Sequence, residues 1–169
     1  FLIIVAIHAA TCLWAYDFEV DGLCYNIISI SDSTTYTAEV THHPTSPYEA
    51  SSITIPETVD CDGNTYVIKR IGTSAFEGCT ALETVTAGAN LNRVGKNAFK
   101  NTKWMANQAD GAVLLQKVYI TNKGNAQEIV VPAEVAYIAD SAWQGNKNVV
   151  SVEIPGTVQY IGTNVLTDT

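Results

Sequence analysis

The side chains with most chemical potential are few and scattered. His42 and His43 stand together in a loop-like stretch, His42-His43-Pro44-Thr45-Ser46-Pro47, where two imidazoles could hold a metal ion. No Cys, Glu or third His lies at ligand spacing, so the pair reads as solvated loop and no metal site is expected. Asp60-Cys61-Asp62-Gly63-Asn64 has the oxygen-rich look of a Ca²⁺ loop, but its Gly comes two positions early and no Glu closes it at the twelfth position. A tight turn is the better account. The sequence lacks Gly-x-Ser-x-Gly, His-Glu-x-x-His and a Gly-rich phosphate loop followed by Lys. No carboxylate pair recurs at a spacing that fixes acid–base geometry, so the chain is not expected to be an enzyme and implies no cofactor.

Four cysteines remain to be placed. Cys24 and Cys61 each fall in a stretch that reads as a hairpin, and two hairpins lying side by side would let them form a disulfide. In an oxidising compartment an unstrained bond of that kind stabilises by about 2–4 kcal/mol. Cys79 sits in a recurring slot described below and is expected as a buried thiol, and Cys12 lies within an apolar N-terminal run. The net charge of −8 and pI of about 4.7 exclude a nucleic-acid binder, which needs clustered Lys and Arg against phosphate.

The elements that must position all of this are repeats. Ile129-Val-Val-Pro-Ala-Glu-Val-Ala-Tyr-Ile-Ala-Asp-Ser-Ala-Trp143 returns 23 positions later as Val152-Glu-Ile-Pro-Gly-Thr-Val-Gln-Tyr-Ile-Gly-Thr-Asn-Val-Leu166. Ile71-Gly-Thr-Ser-Ala-Phe76 maps by the same 23 onto Val94-Gly-Lys-Asn-Ala-Phe99, and Ile53-Thr-Ile-Pro56 opens the first unit. Each unit offers a short β-branched strand that Pro stops, because Pro cannot donate to a ladder. One such strand is not stable alone; stacked at about 4.8 Å on the next, it is paired and covered. Val59, Leu91, Val135 and Val158, with Phe76, Phe99, Trp143 and Leu166, are the expected interior fillers. Ala75, Ala98 and Ala142 mark a tight turn, and Cys79, Thr102 and Asn146 a slot for a small side chain that bonds turn backbone.

These motifs, with Ile71-Gly-Thr-Ser-Ala-Phe-Glu-Gly-Cys-Thr-Ala-Leu82 and Leu91-Asn-Arg-Val-Gly-Lys-Asn-Ala-Phe99, resemble the BspA-like leucine-rich repeat surface proteins of bacteria and some protists. The resemblance covers roughly residues 51 to 169. It implies an exported, cell-surface repeat protein of a kind implicated in adhesion to host proteins or other cells, without shared catalytic residues. Ala87-Gly88 in place of Ile-Pro, Ala139 in place of Gly, and Val165-Leu166 in place of Ala-Phe depart from the pattern.

The expected architecture is mostly β: a leucine-rich-repeat solenoid of about four turns with parallel stacked strands, an N-terminal antiparallel β-hairpin cap and one β insertion. Residues 1–15 are uncharged and apolar, short for a membrane span and suited to the core of a secretory signal peptide, here truncated. Residues 16–50 form the cap, signalled by Asp21-Gly22 between β-prone arms. Residues 51–169 hold the repeats, with a hairpin insertion at 60–69 around Asp62-Gly63 and an irregular β insertion at 103–128. Trp104 and Tyr119 in that insertion are either exposed or plug the junction. No polar terminal repeat closes the end, so further repeats or another domain are expected beyond 169.

In-register stacking turns equal slots into rows on the surface. Thr54, Thr86, Val130 and Glu153 share the solvent side of the strands. Arg70, Arg93, Tyr137 and Tyr160 precede the Ile-Gly slot, and Tyr and Arg are enriched at interface hot spots. That second stripe is the first expected contact for an extracellular or host protein or a cell-surface ligand. It is equally a row whose aromatics merely cover neighbouring turns. A carbohydrate-binding or spacer module presenting a further domain is the alternative function, with Trp104, Tyr137 and Tyr160 as glycan platforms.

Overall fold

The computed structural model describes residues 16–31 and 35–169. The apolar stretch 1–15, read above as an export signal, lies outside them. In chain order the strands are β1 (Phe18–Val20), β2 (Leu23–Ser31), β3 (Thr35–Thr41), β4 (Ser52–Ile55), β5 (Thr58–Cys61), β6 (Asn64–Ile71), β7 (Thr84–Ala87) and β8 (Arg93–Val94). After the short helix α1 (Lys103–Ala106) come β9 (Gly111–Leu115), β10 (Val118–Lys123), β11 (Glu128–Val130), β12 (Tyr137–Ile138), β13 (Ser151–Glu153) and β14 (Tyr160–Ile161). The fold is mostly β, with one four-residue helix among the described residues.

Two hairpins follow from two Asp-Gly pairs. Asp21 and Gly22 have φ of 50° and 77°, and Asp62 and Gly63 have 49° and 78°, the left-handed pair that a two-residue hairpin turn requires. They join β1 to β2 and β5 to β6 in antiparallel register. The surprise is how the hairpins meet. β3 runs parallel to β6, so residues 16–50 share one sheet, ordered β1-β2-β3-β6-β5, with the insertion hairpin, and β8 also pairs with β6. Leu23, Tyr25, Ala38, Val40, Tyr66, Ile68 and Ile71 come from its strands into the main core.

Equivalent strands of the repeat lie parallel and in register. β4 pairs with β7, setting Ile53 beside Val85 and Ile55 beside Ala87; β11 pairs with β13, setting Ile129 beside Val152. In a further sheet β12 pairs in parallel with both β10 and β14. The Ile-Gly slot is explained by how closely backbones approach there. A methyl at Gly95 would lie 2.5 Å from Thr73 N, and one at Gly162 would lie 2.6 Å from Ala139 C, so only Gly fits. Ala139 departs from Gly where the preceding strand is β10, whose Tyr119 carbonyl accepts from Ala139 N at 2.8 Å, and its methyl is taken into the main core.

The turn slot is sharper than its alanines implied. The residue before each Ala or Val carries the left-handed backbone: Ser74, Asn97, Ser141 and Asn164 have φ of 56°, 60°, 59° and 54°. Four positions on, Gly78, Asn101, Gly145 and Asp168 do so again, at 77°, 61°, 76° and 61°. Between these corners alternate amides donate to the rung above: Ser74 N to Lys96 O at 2.9 Å, Phe76 N to Ala98 O at 2.8 Å, Gly78 N to Lys100 O at 2.9 Å. Ser141, Trp143 and Gly145 do the same to Thr163, Val165 and Thr167. In the small-side-chain slot Thr102 Oγ1 donates to Phe99 O at 2.8 Å and accepts from Met105 N at 3.1 Å, which caps α1.

Phe76, Phe99 and Trp143 are buried as expected, whereas Leu166 in the last rung is 51% exposed. The Phe76 and Phe99 rings stack at 5.5 Å with 15° between planes, and Trp104 packs against Phe99 at 4.5 Å. Trp104 and Tyr119 are both buried, so in the 103–128 segment they plug the junction. There β9 and β10 form an antiparallel hairpin turning at Gln116-Lys117, with Gln116 Nε2 donating to Ala87 O. A second core gathers Tyr119, Ile129, Val131, Val135, Ile138, Ala142 and Trp143.

Candidate functional site

The residue before the Ile-Gly slot points outward because the next one points in: Ile71, Val94 and Ile138 are buried, and strand side chains alternate. Arg70, Arg93, Tyr137 and Tyr160 are each half-buried. Arg70 is in register with Arg93, and Tyr137 with Tyr160. The two pairs sit in different sheets, and what joins them is a side-chain contact: the Arg93 guanidinium carbon lies 4.2 Å from the centroid of the Tyr160 ring. A guanidinium over a tyrosine face is worth about 0.5–1 kcal/mol at exposed sites. Tyr137 donates its hydroxyl to Gln159 Oε1 at 3.3 Å. Two of the four side chains thus touch each other, and a third bonds the residue just before the neighbouring strand.

One polar group in the row is unused. Arg93 Nε is buried and has no hydrogen-bond partner among the described residues. Beside it a small recess of about 90 Å³ is bounded by Glu39, Arg70, Gly72, Thr73, Arg93 and Asp140. Glu39 was not foreseen as a neighbour of the stripe. It arrives because β3 pairs parallel with β6, which puts Glu39 opposite Arg70. Two arginines and two acidic residues thus border one recess.

The other row divides in two. Thr54 and Thr86 are in register and their hydroxyls bond at 3.0 Å, with Ser52 and Thr84 in register on the same strands. Val130 and Glu153 are in register in a separate two-stranded sheet, and both are exposed. Thr54 also edges a cavity of about 380 Å³ between the β1–β2 turn and the first rung, lined by Asp21, Leu23, Tyr25, Tyr48, Ile53 and Val59 among others. Burial, then the Asp21 charge, pushes the Tyr25 hydroxyl up to about 12, and burial raises Tyr48 further, whose hydroxyl donates to Thr41 O at 2.6 Å.

Cys24 and Cys61, the disulfide candidates, are both free thiols, Cys24 buried and Cys61 half-buried. Cys61 packs against the main core, while Cys24 lies outside that set although its neighbours Leu23 and Tyr25 belong to it. Cys79 is the buried thiol expected of its slot, its acidity weakened chiefly by burial. No described helix is long and apolar enough to cross a membrane.

Residues 49–169 match the family description "BspA type Leucine rich repeat region" in six copies. Among solved structures the chain is similar to the pneumococcal vaccine antigen PcpA, at 12% identity over 89% of this chain and 41% of that one, with a TM-score of 0.41. A leucine-rich repeat protein from Bacteroides ovatus is similar at 18% identity, covering 86% of this chain and 47% of that one, with a TM-score of 0.41. Another from Bacteroides capillosus gives 21% identity, 82% and 98% coverage, and a TM-score of 0.38. The chain spans less than half the length of the first two. No curated protein matches it by sequence.

Proposed function

Because this chain belongs to the BspA-type leucine-rich repeat family, we propose that it is an exported or cell-surface protein whose work is non-catalytic binding or adhesion to a protein or surface ligand. In this reading the repeats coil as a solenoid of about four regular turns, and affinity is spread over successive rungs. The observation that carries it is the outward row Arg70, Arg93, Tyr137 and Tyr160, two in-register pairs tied by the Arg93–Tyr160 contact. Arg and Tyr at the centre of a contact are the side chains whose loss costs most. The recess beside Arg93 would receive a polar side chain of the partner. The acidic net charge keeps the rest of the surface soluble.

A glycan platform is the weaker reading, since Trp104 is buried and one face of Tyr160 is covered by Arg93. The test is a titration of the chain against extracellular-matrix proteins and a glycan array, repeated with the double variant Tyr137→Ala, Tyr160→Ala. Loss of protein binding at an unchanged melting temperature supports the stripe. Unchanged binding removes it, and binding to glycans alone returns the alternative. A chain that binds neither is a spacer.

A further inference from the structure

Spacing along the chain gives His43 no Cys or Glu partner; the fold supplies one of each. A carboxylate oxygen of Glu19, Sγ of Cys24 and a ring nitrogen of His43 all lie within 4.8 Å of one another. The register explains the meeting. Glu19 is directly opposite Cys24 across β1 and β2, Cys24 is opposite Thr41 across β2 and β3, and His43 follows Thr41 by two residues. Cys24 points to the sheet face away from the main core and is shielded from solvent there, while Glu19 is exposed and His43 half-buried.

The surroundings hold these three groups in place. Cys24 N donates to the Tyr48 hydroxyl at 3.1 Å, and that hydroxyl donates to Thr41 O at 2.6 Å, pinning the strands on either side of the sulfur. Tyr16 donates its hydroxyl to Glu19 Oε2 at 3.2 Å. Thr45 N donates to His43 Nδ1 at 3.4 Å and Thr45 Oγ1 lies 3.2 Å from the same nitrogen, so the Thr45 loop holds the ring in place. Hydrogen-bonded carboxylates and imidazoles of this kind are what outer shells of metal sites provide.

We propose that Glu19, Cys24 and His43 form a Zn²⁺ site, with water as the fourth ligand. Thiolate, imidazole and carboxylate together suit Zn²⁺ and disfavour Ca²⁺ or Mg²⁺, which take oxygen alone. Tetrahedral Zn²⁺ wants its ligand atoms about 3.3–3.8 Å apart, so side-chain rotations of about 1 Å close the site. Binding releases the thiol proton to solvent and leaves Cys24 as thiolate. A nucleophilic role is excluded by the same geometry, because the buried sulfur presents no surface to a substrate. The ion would clasp β1, β2 and the loop after β3.

The test uses the full chain, reduced and without a polyhistidine tag, titrated with Co²⁺ and then with Zn²⁺ against a chromophoric chelator. One equivalent of Co²⁺ should give a thiolate charge-transfer band that Zn²⁺ abolishes. Cys24→Ser and His43→Ala should lose the band and bind Zn²⁺ at least about 100-fold more weakly, and Thr45→Val about 10-fold. His42→Ala and Cys61→Ser should bind as the parent does. Should Cys24→Ser fail to fold, Glu19→Gln, on an exposed side chain, carries the test through an altered Co²⁺ spectrum and at least about 10-fold weaker binding. A missing band, a band that survives His43→Ala or disappears with Cys61→Ser, or a 24–61 disulfide in protein purified without reductant overturns the site.

Discussion

Phe76 and Phe99 hold the same slot in successive rungs, and their stacked rings make each one part of the other's environment. Phe99→Ala should therefore lower the unfolding free energy by about 3–5 kcal/mol, while Leu166→Ala, in the same slot of the exposed last rung, should change it by under about 1 kcal/mol. Urea denaturation of both variants checks this, and equal losses would show that the slot is not an interior one. Glu77 carries a pH dependence. The Ser74 hydroxyl at 2.6 Å first, and Lys100 at 3.0 Å next, hold its carboxyl below the ordinary carboxylate value. A group with a lower folded pKa contributes stability that is complete above its unfolded pKa and lost as pH falls through the folded one. Glu77→Gln should accordingly narrow the gap in stability between about pH 7 and about pH 3, by less than about 1 kcal/mol because both partners are partly solvated.

Stacked strands tolerate no atom between their backbones, so Gly95→Ala should cost about 1–3 kcal/mol or abolish folding. Gly156→Ala meets nothing within 4 Å and should be neutral or stabilise by up to about 1 kcal/mol. Thermal melts of the two variants separate close approach from mere chain flexibility. The period was readable because each rung repeats the same backbone demands: a Pro stop, a close approach at Gly, a large interior side chain. What was not readable is anything that depends on pairing across long separations. The Asp-Gly turns announced both N-terminal hairpins, but nothing in residues 35–41 or 64–71 declared that β3 would run parallel to β6. Glu39 beside Arg70 is hidden for that reason, and the Glu19–Cys24–His43 cluster because it follows from the β1–β2 and β2–β3 registers rather than from spacing. The left-handed corners fall one residue before the motif's small side chains, at Ser74, Asn97, Ser141 and Asn164.

Across the molecule, burial falls off towards residue 169. In the last rung Ile154, Ile161 and Leu166 are all exposed, whereas their equivalents Val131, Ile138 and Trp143 one rung earlier are buried. Amide hydrogen exchange should find the lowest protection in β13 and β14 and the highest in β6 and β8, in the order of their local opening free energies. Protection as strong at 160 as at 71 would contradict that gradient. Further back the chain behaves differently, because β10 serves two interiors: Val118 and Ile120 belong to one core and Tyr119, between them, to the other. Such a strand is a party wall, and neither room can be emptied while it stands. Heat or tension should therefore bring down both sides of that wall in one collapse, not as a staircase of independent rungs.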